Sequence, residues 1–136
     1  QVDDHHTVED VGICIGQALD KALGNKAGIQ RFGWAYCPMD ESLTRVAIDL
    51  SGRPHFVWDF PMNLMRIGEF HTETVPEFFQ GLAIGSAMNL HMDLIRGRNL
   101  HHAMESMFKS FAKALQQAVS IQSRETSIPS TKGTLK

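Results

Sequence analysis

The string His-His-x-x-Glu occurs twice in this chain, as His5-His6-Thr7-Val8-Glu9 and as His101-His102-Ala103-Met104-Glu105. The echo extends outward. Asp3 and Asn99 put a helix-capping type of residue two positions before each first histidine, and Ala18-Leu19 falls on Ala114-Leu115. The same helix start is therefore used twice. On a helix, residues three or four apart share a face, so each glutamate is expected beside its own histidines. Each motif offers imidazole and carboxylate donors together, a set suited to a borderline-to-hard divalent ion such as Mn, Fe, Co or Zn. A single copy reads equally as an accidental surface pair or as capping imidazoles. Two copies with matched flanks weigh against that.

Around these motifs the pattern predicts three helices and a strand-rich middle. Val8, Val11, Ile15, Leu19 and Leu23 form a period-3.6 stripe over 7–23, stopped by Gly24-Asn25. Between Arg31 and Phe60 the segments FGWAYC, TRVAIDL and PHFVWDF read as three strands of an antiparallel sheet, with turn signals around Asp40 and Gly52. A second helix is expected over about 75–94, carrying Val75, Phe78, Phe79, Leu82 and Leu90. A third is expected over about 101–119, with Met104, Met107, Phe108, Phe111, Leu115 and Val119 on one face. All these apolar stripes read as core. From Ser120 onward periodicity is lost, and composition alone reads the segment as a polar tail. His101, Glu105 and Lys109 step by four along the third helix, so Lys109 is either a cation for an anionic substrate group or a solvated lysine. Asp10 is either a partner that fixes a histidine tautomer or a compensator of the helix dipole.

Composition bounds the function classes. With 136 residues, 43% of them hydrophobic, the chain suits one compact domain. A net charge of -2 leaves no broad basic footprint, which argues against nucleic acid as a partner. No apolar run approaches the roughly 20 residues of a membrane helix, and no signal-type apolar segment opens the chain. Cys14 and Cys37 lack metal or redox spacing and read as reduced thiols, pointing to a cytoplasmic protein. There is no initiator Met and the chemistry begins at His5, so the chain reads as a piece or processed form of something longer.

The strings DDHHTVEDVGI, IQRFG, PMDE, DLSGRP, TETVPEFF, RNLHHAMESMFKSFAKAL and IPSTKG, in this order, resemble imidazoleglycerol-phosphate dehydratase. The two HHxxE motifs with their flanks are specific; SGRP or STKG alone would be weak. The resemblance implies an α+β fold of two pseudo-duplicated halves, with helices between two antiparallel-rich four-stranded sheets. It divides the chain into a remainder of the first half (1–60), a second half (61–119) and a phosphate-binding tail (120–136). It implies Mn2+, two ions per complete active site, held by His5, His6, Glu9, His91, His101, His102 and Glu105, with His91 placed in the second helix. Glu9 and Glu105 would also act as acid or base. Arg31, Arg53, Lys109, Ser130 and Lys132 would hold a substrate phosphate. His55 and His71 read as surface variation. The family's N-terminal stretch, which supplies another glutamate, a helix with a ligand histidine and opening strands, is not in this sequence.

The activity implied is loss of water from imidazoleglycerol phosphate to give imidazoleacetol phosphate, a step of histidine biosynthesis. The proton lost sits on a carbon that no carbonyl acidifies, so a side-chain base alone faces a large barrier and metal ions would act as Lewis acid and template. The metals would lie between subunits of a shell of 24 copies. Two other readings of the same ligands are a metal-dependent hydrolase and a metal-binding assembly fragment without turnover of its own.

Overall fold

The computed structural model describes residues 4–122 and 126–136. The elements run α1 (Asp4–Leu23), β1 (Phe32–Met39), β2 (Ser42–Asp49), β3 (His55–Asp59), β4 (Arg66–Ile67), β5 (Phe70–His71), α2 (Thr74–Ser86), β6 (Asn89–Arg96) and α3 (Leu100–Ala118). β1 and β2 form a tight hairpin with Met39 opposite Ser42, and Asp40 turns it at φ 48°. The four-stranded sheet is ordered β1-β2-β6-β3. β2 and β6 are antiparallel, whereas β3 runs parallel to β6. A parallel neighbour needs a crossover, and the chain from Phe60 to Met88 supplies it, with α2 inside. β4 and β5 make a separate two-stranded hairpin.

Alternation along the strands decides which face is covered. Val46, Ile48, Leu90, Met92 and Leu94 point inward, where Phe79 of α2 and Met104, Met107 and Ala114 of α3 meet them. Thr44 is buried among them and shares its hydroxyl with Ser106 and Ser110 of α3, at 2.8 and 2.6 Å. Ser106 also donates to the Cys37 carbonyl at 2.6 Å, so α3 is keyed to β1 and β2 by polar as well as apolar contact. A Cβ on Gly33 would lie 1.9 Å from the Ala114 carbonyl, which shows how closely α3 is drawn to β1.

Helix α1 packs differently from its expectation. Val11 and Ile15 of the apolar stripe are 47% and 48% exposed, while Gly12 and Gly16 are buried. These glycines face α2 so closely that a Cβ on Gly12 would lie 2.3 Å from the Phe78 carbonyl. Gly81 and Gly85 return the contact, toward the carbonyls of Glu9 and Ile13. The stripe marked an apolar face correctly, but backbone contact through small residues decided which face packs. Phe108 of α3 is also half exposed, at 41%.

Other expectations are corrected as well. The second helix stops at Ser86, because Ala87 takes left-handed φ 51° and its N–H returns to the Ala83 and Ile84 carbonyls. Residues 89–96 are a strand with Leu90, Met92 and Leu94 inward, so His91 belongs to a sheet and not to a helix end. The boundary expected at residue 60 is not a structural one, since β1 to β3 share a sheet with β6. The described residues of the tail are docked: Ile121 bridges to Ile29, Gly28 donates to the Ser127 carbonyl at 3.0 Å, and Leu135 is buried. No helix among the described residues is long and apolar enough to cross a membrane.

Substituting Gly12 by Ala gains about 1 kcal/mol of helix propensity. It also forces a methyl against the Phe78 carbonyl, an overpacking cost of typically 1–3 kcal/mol. Thermal unfolding of Gly12→Ala should therefore show a Tm lowered by several degrees. A raised Tm would mean that α1 and α2 are not held at backbone contact.

Candidate metal and anion sites

The start of α3 is fixed by two side chains. Asn99 caps it, its carbonyl oxygen accepting from the N–H groups of His101 at 2.9 Å and His102 at 3.3 Å. Glu41, from the β1–β2 turn, accepts from the N–H groups of Arg98 and Asn99 at 3.1 and 2.8 Å. The other oxygen of Glu41 meets His102 Nδ1 at 2.9 Å. This carboxylate therefore orients the imidazole, holds a proton on Nδ1 and leaves Nε2 for a ligand. The hydrogen bond from His102 and those from the backbone hold Glu41 well below the usual carboxylate range. Glu41 in turn raises the pKa of His102.

His101 faces elsewhere. Its Nε2 lies 3.2 Å from Glu105 Oε2, while Lys109 Nζ reaches Glu105 Oε1 at 2.8 Å. The Lys109 ammonium first, and His101 second, lower the pKa of Glu105. The two imidazoles stand at 89° with centroids 6.3 Å apart. The motif thus delivers His101 and Glu105 as a pair and His102 as a separately oriented donor, not three donors around one point. Lys109 is tied into this cluster.

At the start of α1, His5 and His6 are exposed and Glu9 is half-buried. The positive field of His5 is one of the smaller causes that lower the pKa of Glu73; the main ones are hydrogen bonds from its own backbone and from His71. Glu73 Oε1 lies 3.1 Å from His71 Nδ1, and its Oε2 is buried without a partner among the described residues. A carboxylate oxygen without a partner, next to His71 and within electrostatic reach of His5, is a feature that a bound cation would satisfy. Because Gly81 meets Glu9 and Gly85 meets Ile13, α1 and α2 run parallel, and the same offset one turn earlier brings Glu77 to the level of His5. Glu41, Glu73 and Glu77 were all missed by spacing. Only the PMDE and TETVPEFF strings could have flagged them.

His91 stands apart from these groups. It is exposed on the sheet face opposite α3, opposite Ala47 and Val57 in register and 6.1 Å from the His55 ring by centroids. Among the described residues no three His, Cys, Asp or Glu side chains stand close enough to hold one ion.

Four of the five anion candidates lie together. Arg31, Arg53, Ser130 and Lys132 line one pocket of about 380 Å³, together with Ser51 and Lys136. Arg31 sits at φ 71° and grips both Asp49 oxygens, at 2.7 and 3.1 Å, while a third nitrogen donates to the Pro129 carbonyl at 2.8 Å. It thus ties the 126–136 arm to the sheet. Arg53, Lys132 and Lys136 bring positive charge to the rim. Lys109 is not a member of this pocket.

The family model for imidazoleglycerol-phosphate dehydratase (IGPD) matches residues 1–115. The chain is 54% identical over 135 residues to the imidazoleglycerol-phosphate dehydratase of Syntrophomonas wolfei, covering 99% of this chain and 68% of that one. It is likewise 54% identical over 134 residues to that of Desulforamulus reducens, covering 98% and 68%. Among solved structures, the Staphylococcus aureus dehydratase superposes with a TM-score of 0.84 at 44% identity, over 90% of this chain and 71% of that one. IGPD from Pyrococcus furiosus superposes with a TM-score of 0.81 at 36% identity, over 98% and 73%. A matching family model over most of the chain, relatives at half identity and the same backbone together show that the chain belongs to the imidazoleglycerol-phosphate dehydratase family, hydro-lyases of histidine biosynthesis.

Proposed function

We propose that the chain removes water from imidazoleglycerol phosphate with the help of Mn2+, and that its ion sites are completed between copies of the chain. The observation that carries this reading is that the histidine motifs reach the surface as oriented pairs, His101 with Glu105 and His102 with Glu41, while no three donors meet within the described residues. Ligand sets of this kind would be completed by donors from another copy. His5, His6 and Glu9 would supply that second set, with Glu73 and Glu77 close by. His91, on the far face of the sheet, could join only from a different copy. Exposed Phe32, Trp34 and Tyr36 on the outer face of β1 suit a chain that associates, and a closed shell of 24 copies is the assembly proposed. Free thiols at Cys14 and Cys37 fit the cytoplasm.

The division of labour follows from position. Arg53, Ser130 and Lys132 would hold the phosphate, giving binding energy that places the reacting carbon. A bound Mn2+ would supply Lewis-acid polarisation of the departing hydroxyl. Glu41 holds the proton on His102 Nδ1, so that in the neutral imidazole Nε2 is the nitrogen left for a ligand. Glu105, which Lys109 keeps ionised, would take or return a proton through Oε2.

Three outcomes test this. Metal analysis of the purified protein should find manganese or show that it is accepted, and light scattering should show mass rising with Mn2+ and falling with chelator. His5→Ala and His101→Ala should each lose both responses. Normal metal content in both variants would remove the ligand reading.

Lys132→Ala should raise KM for the phosphorylated substrate by about tenfold, the scale of one charge-assisted contact of about 1.4 kcal/mol, with a smaller change in kcat. Equal kinetics would return Lys132 to a solvated side chain.

The third is a titration. His102, with its pKa raised above the ordinary 6.5, contributes stability that is full below that pH and is lost as pH rises through the folded value. Glu41, lowered from 4.5, contributes stability that is present above that pH and is lost as pH falls toward its lowered value. The pair is thus strongest between the two. In metal-free protein, Glu41→Gln should move the NMR midpoint of His102 downward; an unmoved midpoint would dissociate the two residues.

A further inference from the structure

Lys26 is a buried lysine that no step above uses. Its side chain is 4% exposed, and its ammonium meets Asp20 Oδ1 at 3.0 Å and the Leu135 carbonyl at 3.4 Å. Its backbone sits at φ 61°, in a left-handed conformation that glycine or asparagine would adopt at less cost. A strained position occupied by a long, charged, buried side chain calls for a reason in that side chain.

The reason lies in what Leu135 does. Residues 126–136 form the arm that carries Ser130 and Lys132 to the anion pocket, and Leu135 lines that pocket on one side and the cavity next to Lys26 on the other. The arm has two anchors. At its near end Arg31 holds the Pro129 carbonyl, and Gly28 holds the Ser127 carbonyl. At its far end the Leu135 side chain is buried, and its carbonyl lies against Gly52, where a Cβ would approach within 2.0 Å, and toward Lys26. Gly133 turns the chain between them at φ 69°. Without the far anchor, Ser130 and Lys132 would ride on a strap fixed at one end only.

We propose that Lys26 is a positioning residue for the anion pocket: by holding the Leu135 carbonyl, and being held by Asp20, it keeps the 126–136 arm closed so that Ser130 and Lys132 meet the phosphate together with Arg53. The lysine does not touch the substrate. Its charge is neutralised by Asp20 and its effect passes through the main chain of the arm. This rests on the reading of the pocket as a phosphate site, and the test separates the two.

The experiment measures binding of inorganic phosphate by calorimetry, together with KM and kcat for imidazoleglycerol phosphate, in the manganese-loaded, assembled enzyme. The variants are Lys26→Met, Lys26→Arg and Gly52→Ala. Lys26→Met keeps the bulk of the stem and removes the donor. It should weaken phosphate binding and raise KM by five- to twentyfold with kcat within about twofold, and tryptic cleavage after Lys132 should quicken. Lys26→Arg restores a donor and should recover most of the binding. Gly52→Ala keeps Lys26 but presses a methyl on the Leu135 carbonyl and strains the backbone at φ 77°, so it should reproduce the KM effect, with the folded fraction of every variant read by circular dichroism. Wild-type phosphate binding that vanishes in Arg53→Ala supports the pocket itself. If the wild type binds no phosphate, the pocket reading falls, and the proposal with it. If it binds and Lys26→Met binds equally well, or loses kcat and KM function only in proportion to lost folded protein with no rescue by arginine, the pocket stands and the positioning role is overturned.

Discussion

The contact between α1 and α2 through glycine sets the geometry on which the α1 motif depends. With Gly12 and Gly16 on one helix and Gly81 and Gly85 on the other, the two backbones approach until a single Cβ would collide with a carbonyl. Apolar side chains of ordinary size would separate the axes by several ångströms, to the 8–10 Å usual for helices. Because the helices run parallel, their N-terminal ends lie together. His5 therefore comes within electrostatic reach of Glu73, and two positive helix ends face the same region. The side chains of the first motif are thus displayed by a closely packed pair of helices and not by a lone helix.

The second motif is held by a different device with the same effect. Glu41 couples the β1–β2 turn to the start of α3, accepting from the N–H groups of Arg98 and of the cap residue Asn99 just before the helix and pairing with one imidazole nitrogen. Beneath it the Thr44, Ser106 and Ser110 hydroxyls lock α3 on the sheet. The orientation of His102 is therefore a property of the hairpin as much as of the helix. At the opposite end of the β1–β2 hairpin, Arg31 does for the arm what Glu41 does for α3. One strained, doubly paired cation joins Asp49 at the end of β2 to the Pro129 carbonyl, and a segment without regular structure becomes a wall of the anion pocket.

How far the candidate site could be read from the chain varied with the range of the forces involved. The duplicated HHxxE motif, the helical faces it implies and the cap at Asn99 are local, because spacing along a helix fixes them. The two histidines of a motif nevertheless diverge, since the partner of His102 comes from a turn some sixty residues earlier, a distance along the chain that no local pattern carries. The step of four from His101 to Lys109 is real, yet it ends in an intrahelical ion pair with Glu105 and not at the anion pocket. His91 was misplaced for a related reason. Leu90 and the residues before it continue an apolar helical run, and only pairing with β2 and β3 turns 89–96 into a strand.

By itself the sequence determined the family, the duplicated histidine–glutamate motif and the helices that bear it, three of the sheet strands, and the identity of several residues that line the pocket beside Arg31. These follow from periodicity, capping chemistry and donor type, all of which act over a few residues. The tertiary structure alone decided that α1 packs by its glycines and not by its apolar stripe, that β3 runs parallel to β6, that His91 faces away from α3, and that the polar tail is a docked arm. Each of these depends on which distant surface a segment meets. Val11 and Ile15 are as apolar as any core residue, but glycine allows backbones to come nearer than apolar side chains do, and only the assembled fold contains the partner that makes the difference.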